Sequence, residues 1–208
     1  NCIAVAPGAN YSLLPGSIIH FSKVIDEADI IVMQAEIPYE TIKRIALLAK
    51  QKGKKVLFNP APACLIDEEL MKAIDILVVN ELEAAFISGI EYTGNNLEEI
   101  ALSLLQAGAR NAVITLGSQG VYKKNDKEII QLPGYKVNAI DTIAAGDTFC
   151  GALAVICAQR EIDRDALSFA NAAAAIAVTR SGAQPSIPTL DEVKHFMLEK
   201  ELALSFNF

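Results

Sequence analysis

Asp141-Thr142-Ile143-Ala144-Ala145-Gly146-Asp147-Thr148-Phe149 sets two carboxylates on either side of a turn of small residues. From Thr148 the chain runs on as an apolar helical pattern through Leu153 and Cys157. The Ala144-Ala145-Gly146 turn therefore opens a helix, where unpaired backbone N–H groups and the helix dipole favour an anion. Small side chains let a ligand approach that backbone closely. Asp147 falls in the first helical turn, beside any anion held there. The combination suits phosphoryl transfer: the N–H groups hold phosphate charge, and the carboxylate takes a proton from an attacking hydroxyl. An Asp that merely caps a core helix is the structural alternative. The nine-residue pattern as a whole favours chemistry.

Two further spacings are weak signals taken alone. Asn80 and Glu83 stand three apart at a strand-to-helix junction, so they share a helix face and can meet one hydrated Mg²⁺. The same spacing also makes a capping box, and by spacing alone that is the better reading. Thr115-Leu116-Gly117-Ser118-Gln119-Gly120 ends a strand in a glycine-flanked turn, which alone is a common connector. No Gly-x-x-x-x-Gly-Lys-Ser/Thr occurs, which disfavours a P-loop fold. His20 and His195 lie in polar helical surroundings and look incidental.

The elements that position these residues alternate. Ile30 to Met33, Val56 to Phe58, Ile76 to Val79 and Ala112 to Thr115 read as strands buried on both faces. Thr41 to Lys52, Asp67 to Ala73 and Leu97 to Gln106 read as helices, with Gly53 and Gly108 as stops. This alternation predicts an α/β fold with a mostly parallel sheet and helices on both faces. Glu36, Asn59, Asn80 and Gly117 each follow a strand, so all are expected at the sheet's carboxyl edge, where ligands bind. After Gly120 the pattern changes. Val121 to Lys124, Ile129 to Leu132 and Lys136 to Ile140 read as short strands. Asp147 to Gln159 and Asp165 to Thr179 read as long helices, the second with a close-packing run Ala172 to Ala175. Leu190 to Lys200 reads as an amphipathic surface helix.

The chain of 208 residues suits one ordinary domain, and 52% hydrophobic content excludes a disordered chain. No apolar run is long enough to span a bilayer, and no signal peptide opens the sequence. A net charge of −7 argues against nucleic acid or an anionic membrane as partner. It leaves nucleotide binding open, because Mg²⁺ and backbone N–H groups supply positive field locally. The cysteines Cys2, Cys64, Cys150 and Cys157 lack paired or metal-ligand spacing, which fits a reducing cytoplasm.

The Asp141–Phe149 run resembles the signature of the ribokinase-like (PfkB) carbohydrate kinase family. Met33-Gln34-Ala35-Glu36, Asn59-Pro60-Ala61-Pro62-Ala63, Asn80-Glu81-Leu82-Glu83, Thr115 to Gly120 and Gly182-Ala183-Gln184-Pro185-Ser186 resemble family segments in the same order. The resemblance implies that residues 1–208 form one ribokinase-like domain, matching about the C-terminal two-thirds of a family member. The family's N-terminal strands, its Gly-Gly-Lys-Gly-Ala-Asn sugar segment and its β lid have no counterpart in the sequence.

What the family does then becomes the expectation for these positions. Asp147 is the general base, and Ala144, Ala145 and Gly146 form the anion hole. Asn80, Thr115, Leu116, Gly117, Ser118, Gln119, Gly120 and Gly146 bind ATP. Asn171 stands where the family often carries a His near the adenine. Glu36 contacts the sugar, against the alternative of a solvated acid at a strand end. Asn80 and Glu83 serve Mg²⁺ through water. Asp141, Ile143, Ala177, Arg180, Gly182 and Ser186 form a K⁺ cage, against the alternative that 181–188 is a Pro-rich connector. The implied reaction is phosphorylation of D-ribose to ribose 5-phosphate. Another sugar, or a nucleotide-binding fragment without turnover, remains the alternative. Family dimers form through the lid, so a homodimer is expected only of a chain that has it.

Overall fold

Three apolar runs in the first half of the chain are too short and too rich in β-branched residues for helices, and they become parallel strands. The computed structural model describes residues 6–200, so Cys2 lies outside the described residues. The chain divides after Ala112 into two compact units.

In the first unit β1 (Ile30–Gln34) pairs in parallel with β2 (Lys55–Asn59), from Ile30↔Lys55 to Gln34↔Asn59. β2 pairs in parallel with β3 (Ile76–Asn80), with Leu57 opposite Ile76. Val56, Leu57, Phe58 and Ile76 to Val79 are buried on both faces, as strands covered by helices must be. β1 departs from the expectation. It is an edge strand, and Val32 is 46% exposed.

The helices of this unit are α1 (Ser22–Glu27), α2 (Tyr39–Gln51), α3 (Glu68–Ala73), α4 (Glu81–Ser88) and α5 (Leu97–Gln106). α2 turns Ile42, Ala46 and Ala49 inward at helical spacing. It begins before the predicted Thr41, because Pro38 is extended at the N-cap position. Thr41 donates its hydroxyl to the Leu13 carbonyl at 2.7 Å, tying α2 to the 3₁₀ turns that precede α1. Asp67 is the N-cap of α3 and accepts the Leu70 N–H at 2.9 Å. The buried Asp75 carboxylate accepts the Val56 N–H at 3.0 Å and an Arg110 N–H at 2.8 Å. These partners offset the cost of burying its charge.

The second unit contains β5 (Val121–Lys124), β6 (Ile129–Leu132), α6 (Ala145–Cys157), α7 (Arg164–Ala177) and α8 (Leu190–Glu199). β4 (Ala112–Thr115) starts at the boundary. The six-stranded sheet runs in chain order, β1-β2-β3-β4-β5-β6, with β5 and β6 antiparallel. Asn125 Oδ1 accepts the Lys127 and Glu128 N–H groups and so turns the β5–β6 hairpin. Buried Lys123 pairs with Glu128 at 2.8 Å.

The predicted strand at Lys136 to Ile140 does not form. Pro133 and Gly134 break the chain direction before it, and the Ile140 N–H goes to the Val178 carbonyl at 2.7 Å instead of to a ladder. α6 and α7 pack closely because Ala170, Ala172 and Ala173 on α7 are small and buried. Cys150 and Cys157 are buried on α6, as read from the sequence. α8 buries only Val193 and Met197, the narrow stripe of a surface helix. Among the described residues, no helix is long and apolar enough to cross a membrane.

Candidate active site

Ala144 sets the geometry of the α6 N-terminus. It is the one non-glycine residue with positive φ among the described residues, at φ 60° and ψ 11°. An alanine in this left-handed region costs roughly 1–2 kcal/mol. It occupies the N-cap position of α6 without a side-chain cap. A left-handed residue followed by helical ones curls successive N–H groups into a concavity that suits an anion. The Ala145 N–H leans on the Thr142 carbonyl at 3.3 Å. Gly146 and Asp147 are exposed, and a Cβ at Gly146 would meet nothing within 4 Å. The turn is therefore open to solvent at Gly146 and Asp147. Beside it, Thr148 is 6% exposed, and its buried hydroxyl has no hydrogen-bond partner among the described residues.

The segment leading into this turn is pinned to the loop after α7. The Ile140 and Asp141 N–H groups both donate to the Val178 carbonyl, at 2.7 and 3.2 Å. Asp141 accepts the Ile143 N–H through Oδ1 and the Gly182 N–H through Oδ2, each at 3.0 Å. These N–H groups, Gly182 first, hold the Asp141 carboxyl below the usual carboxylate range. Arg180 pairs with Glu192 of α8 at 2.6 Å and holds that carboxyl down at about 2. Ser186 is buried, and its hydroxyl donates to the Ala183 carbonyl at 2.7 Å. Ala177 ends α7 and is buried. The loop is thus tied by hydrogen bonds to the segment entering α6.

Thr115 closes β4 and leads into the turn Leu116–Gly120. The Leu116 N–H donates to the Gly120 carbonyl at 2.8 Å, and the Gly120 N–H to Gly117 at 3.1 Å. Gly120 has φ 101°, and a Cβ there would lie 2.1 Å from the Leu132 carbonyl oxygen. Only glycine fits that position. Asn171, on α7, is 8% exposed and donates through Nδ2 to the Pro133 carbonyl at 3.0 Å.

In the first unit Glu36, Asn59 and Asn80 follow or end β1, β2 and β3 as expected. Asn80 and Glu83 form a complete capping box. Asn80 Oδ1 accepts the Leu82 and Glu83 N–H groups, and Glu83 accepts the Asn80 N–H at 2.8 Å. Burial pushes the Glu83 carboxyl above its usual range. Asn59 donates to the Val78 carbonyl at 2.8 Å, joining β2 to β3. Glu36 is exposed at the rim of a largely apolar cavity of about 450 Å³, lined by Leu13, Ile18, Phe21 and Met33 among others.

The profile of the pfkB family of carbohydrate kinases matches residues 2–190. The chain belongs to that family. It is 40% identical over 195 residues to the ribokinase of Staphylococcus aureus, a match covering 93% of this chain and 64% of that protein. The ribokinase structure from Thermotoga maritima superposes with a TM-score of 0.85 at 40% identity, covering 95% of this chain and 65% of that one. The Arabidopsis thaliana ribokinase, complexed with ribose and ATP, gives a TM-score of 0.88 at 28% identity, covering 100% of this chain and 66% of that one. The fold is therefore ribokinase-like. The chain spans less than two thirds of the length of the curated relatives it matches.

Three features of the site were missed in the sequence: the left-handed Ala144, the buried Thr148 hydroxyl and the contact of Asn171 with Pro133. Alanine ordinarily signals helix, so nothing in its identity announces a left-handed cap.

Proposed function

We propose that this chain carries the phosphoryl-transfer machinery of an ATP-dependent sugar kinase, with D-ribose as acceptor and ribose 5-phosphate and ADP as products. The left-handed Ala144 at an exposed helix N-terminus, with Asp147 in the next turn, carries the reading. Successive N–H groups there suit the transferring phosphoryl group, whose charge is greatest in the transition state. A ribose hydroxyl attacks the terminal phosphorus, the bond to the ADP oxygen breaks, and Asp147 takes the hydroxyl proton. Thr115–Gly120 borders the nucleotide, and Glu36 contacts the sugar.

The capping box sorts the roles of Asn80 and Glu83. Two N–H groups use Asn80 Oδ1, while Nδ2 takes no part in the cap and suits a phosphate oxygen. One Glu83 oxygen serves the cap and the other suits a metal-bound water. Mg²⁺ there would offset charge on the phosphates. The loop pinned by Asp141 suits a large, weakly hydrated cation such as K⁺, held through Asp141 and the carbonyls of Ile143, Ala177, Arg180, Gly182 and Ser186. K⁺ would order the chain entering α6. The chemistry uses soluble metabolites, which fits a cytoplasmic protein, and residues 1–208 act as one catalytic domain.

A second reading is favoured by one observation. The chain spans 64% of the Staphylococcus aureus relative, and on the second reading it is a nucleotide-binding piece that needs further polypeptide for turnover. Ribose-dependent ADP release decides between them. Under the first reading wild type turns over, and Asp147→Ala loses about 10²–10⁴-fold in kcat. Near-normal turnover of Asp147→Ala would end the assignment. ATP binding without ribose binding or turnover would select the second reading.

A further inference from the structure

Asn171 is a buried side chain whose amide is already committed. Its Nδ2 donates to the Pro133 carbonyl at 3.0 Å, across 38 residues of sequence. Pro133 directly follows β6, and Gly134 lies against the turn after β4. A Cβ at Gly134 would sit 2.2 Å from the Ser118 carbonyl oxygen. From the other side, a Cβ at Gly120 would sit 2.5 Å from the Pro133 carbonyl carbon and 2.6 Å from the Gly134 nitrogen. Two backbone segments therefore touch with no room for a side chain between them. The same segment meets α7 again at Tyr135, whose half-buried hydroxyl donates to the Ser168 carbonyl at a long 3.5 Å. The Tyr135 ring packs edge-on against Phe196 of α8, with centroids 5.3 Å apart.

The connectivity is one of rigid contact. α7 holds Pro133, Pro133–Gly134 abuts Ser118 and Gly120, and the turn takes its shape from that abutment. Hydrogen bonds within the turn leave it a short 3₁₀ arc with exposed tips at Gly117, Ser118 and Gln119. Such an arc has few contacts of its own to resist distortion.

We infer that Asn171 is a positioning residue: its amide holds the Pro133–Gly134 segment, and through it fixes the Ser118–Gly120 backbone that receives the nucleotide. The inference rests on the reading of Thr115–Gly120 as the nucleotide-bordering turn. Asn171 acts through Pro133, so its effect does not depend on the nucleobase.

The test compares wild type with Asn171→Ala and with the near-isosteric Asn171→Asp, which keeps the volume and loses the donor. Gly134→Ala attacks the same contact from the opposite side. Amide hydrogen exchange at Ser118, Gln119 and Gly120 is read without ligand, and ATP and GTP affinities are read by calorimetry. Both Asn171 variants are expected to quicken exchange in the turn about tenfold, in line with loss of one buried hydrogen bond. They are expected to weaken ATP and GTP by the same factor, leaving the ratio of the two unchanged. Gly134→Ala is expected to reproduce the exchange pattern. Unchanged exchange in the turn of both Asn171 variants overturns the inference. So does a loss of affinity confined to ATP, which would make Asn171 a direct base contact. If wild type binds neither nucleotide, the nucleotide reading fails by itself, and the exchange measurement still decides whether Asn171 holds the turn.

Discussion

Asp141 reaches across 41 residues of sequence to accept the Gly182 N–H through Oδ2 at 3.0 Å. Its other oxygen accepts the Ile143 N–H, two residues from the start of α6. One carboxylate thereby ties the chain entering α6 to the loop after α7. The Gly182 and Ile143 N–H groups hold the Asp141 carboxyl below its usual range. A carboxylate depressed in the folded state stabilises the fold above its unfolded pKa and loses that contribution as pH falls through the folded value. The Gly182 amide resonance should hold steady from neutral pH down to about pH 4, near the ordinary Asp value, and move only below it. A midpoint at or above that value contradicts the contact.

The same loop predicts an ion dependence. Turnover in KCl should exceed turnover in NaCl or choline chloride at matched ionic strength, and Asp141→Ala should abolish the difference. Equal rates in the three salts would remove the cation from the mechanism.

The observed cap and the proposed phosphate contact fall on different atoms of Asn80, and two substitutions separate them. Asn80→Ala removes the cap and should cost about 1 kcal/mol of stability together with ATP affinity. Asn80→Asp keeps an acceptor for the Leu82 and Glu83 N–H groups and removes the Nδ2 donor. It should fold with nearly wild-type stability in a denaturant melt and still bind ATP more weakly. Wild-type ATP affinity in Asn80→Asp would confine the residue to capping α4.

Gly146 separates folding from binding in the opposite sense. A methyl there meets nothing within 4 Å, and the position is helical with φ outside the left-handed region. Gly146→Ala should therefore leave stability unchanged or raise it by about 0.4–1 kcal/mol. The methyl enters the space assigned to the phosphates, so ATP binding should weaken by roughly tenfold or more. A variant that gained stability and kept its ATP affinity would place the phosphates elsewhere.

The elements read from the sequence succeeded where burial and periodicity coincide. Ile76 to Val79 is an unbroken β-branched and leucine run, and it is a strand buried on both faces. Leu97 to Gln106 shows a clean apolar stripe at Ile100, Ala101 and Leu104 and was placed to the residue. Lys136 to Ile140 alternates like a strand but finds no ladder partner, because backbone pairing depends on neighbours that a local pattern does not contain. β1 has the composition of a central strand and lies at an edge for the same reason. In the candidate site, residue types and spacing pointed to Asp147, while Asn80 and the glycine turn were singled out only by the family resemblance. The conformation of Ala144 and the partner of Asn171 were illegible: the first contradicts a local propensity, and the second joins residues 38 apart.

The account stands on the α6 N-terminus as the seat of the triphosphate. Its most direct test is a titration of ¹⁵N-labelled protein with ATP and Mg²⁺, following the backbone amides of Gly146 and Asp147. These amides should show the largest saturable shifts in the second unit, with the Thr115–Gly120 turn next. Saturable ATP binding that leaves Gly146 and Asp147 unmoved would contradict it.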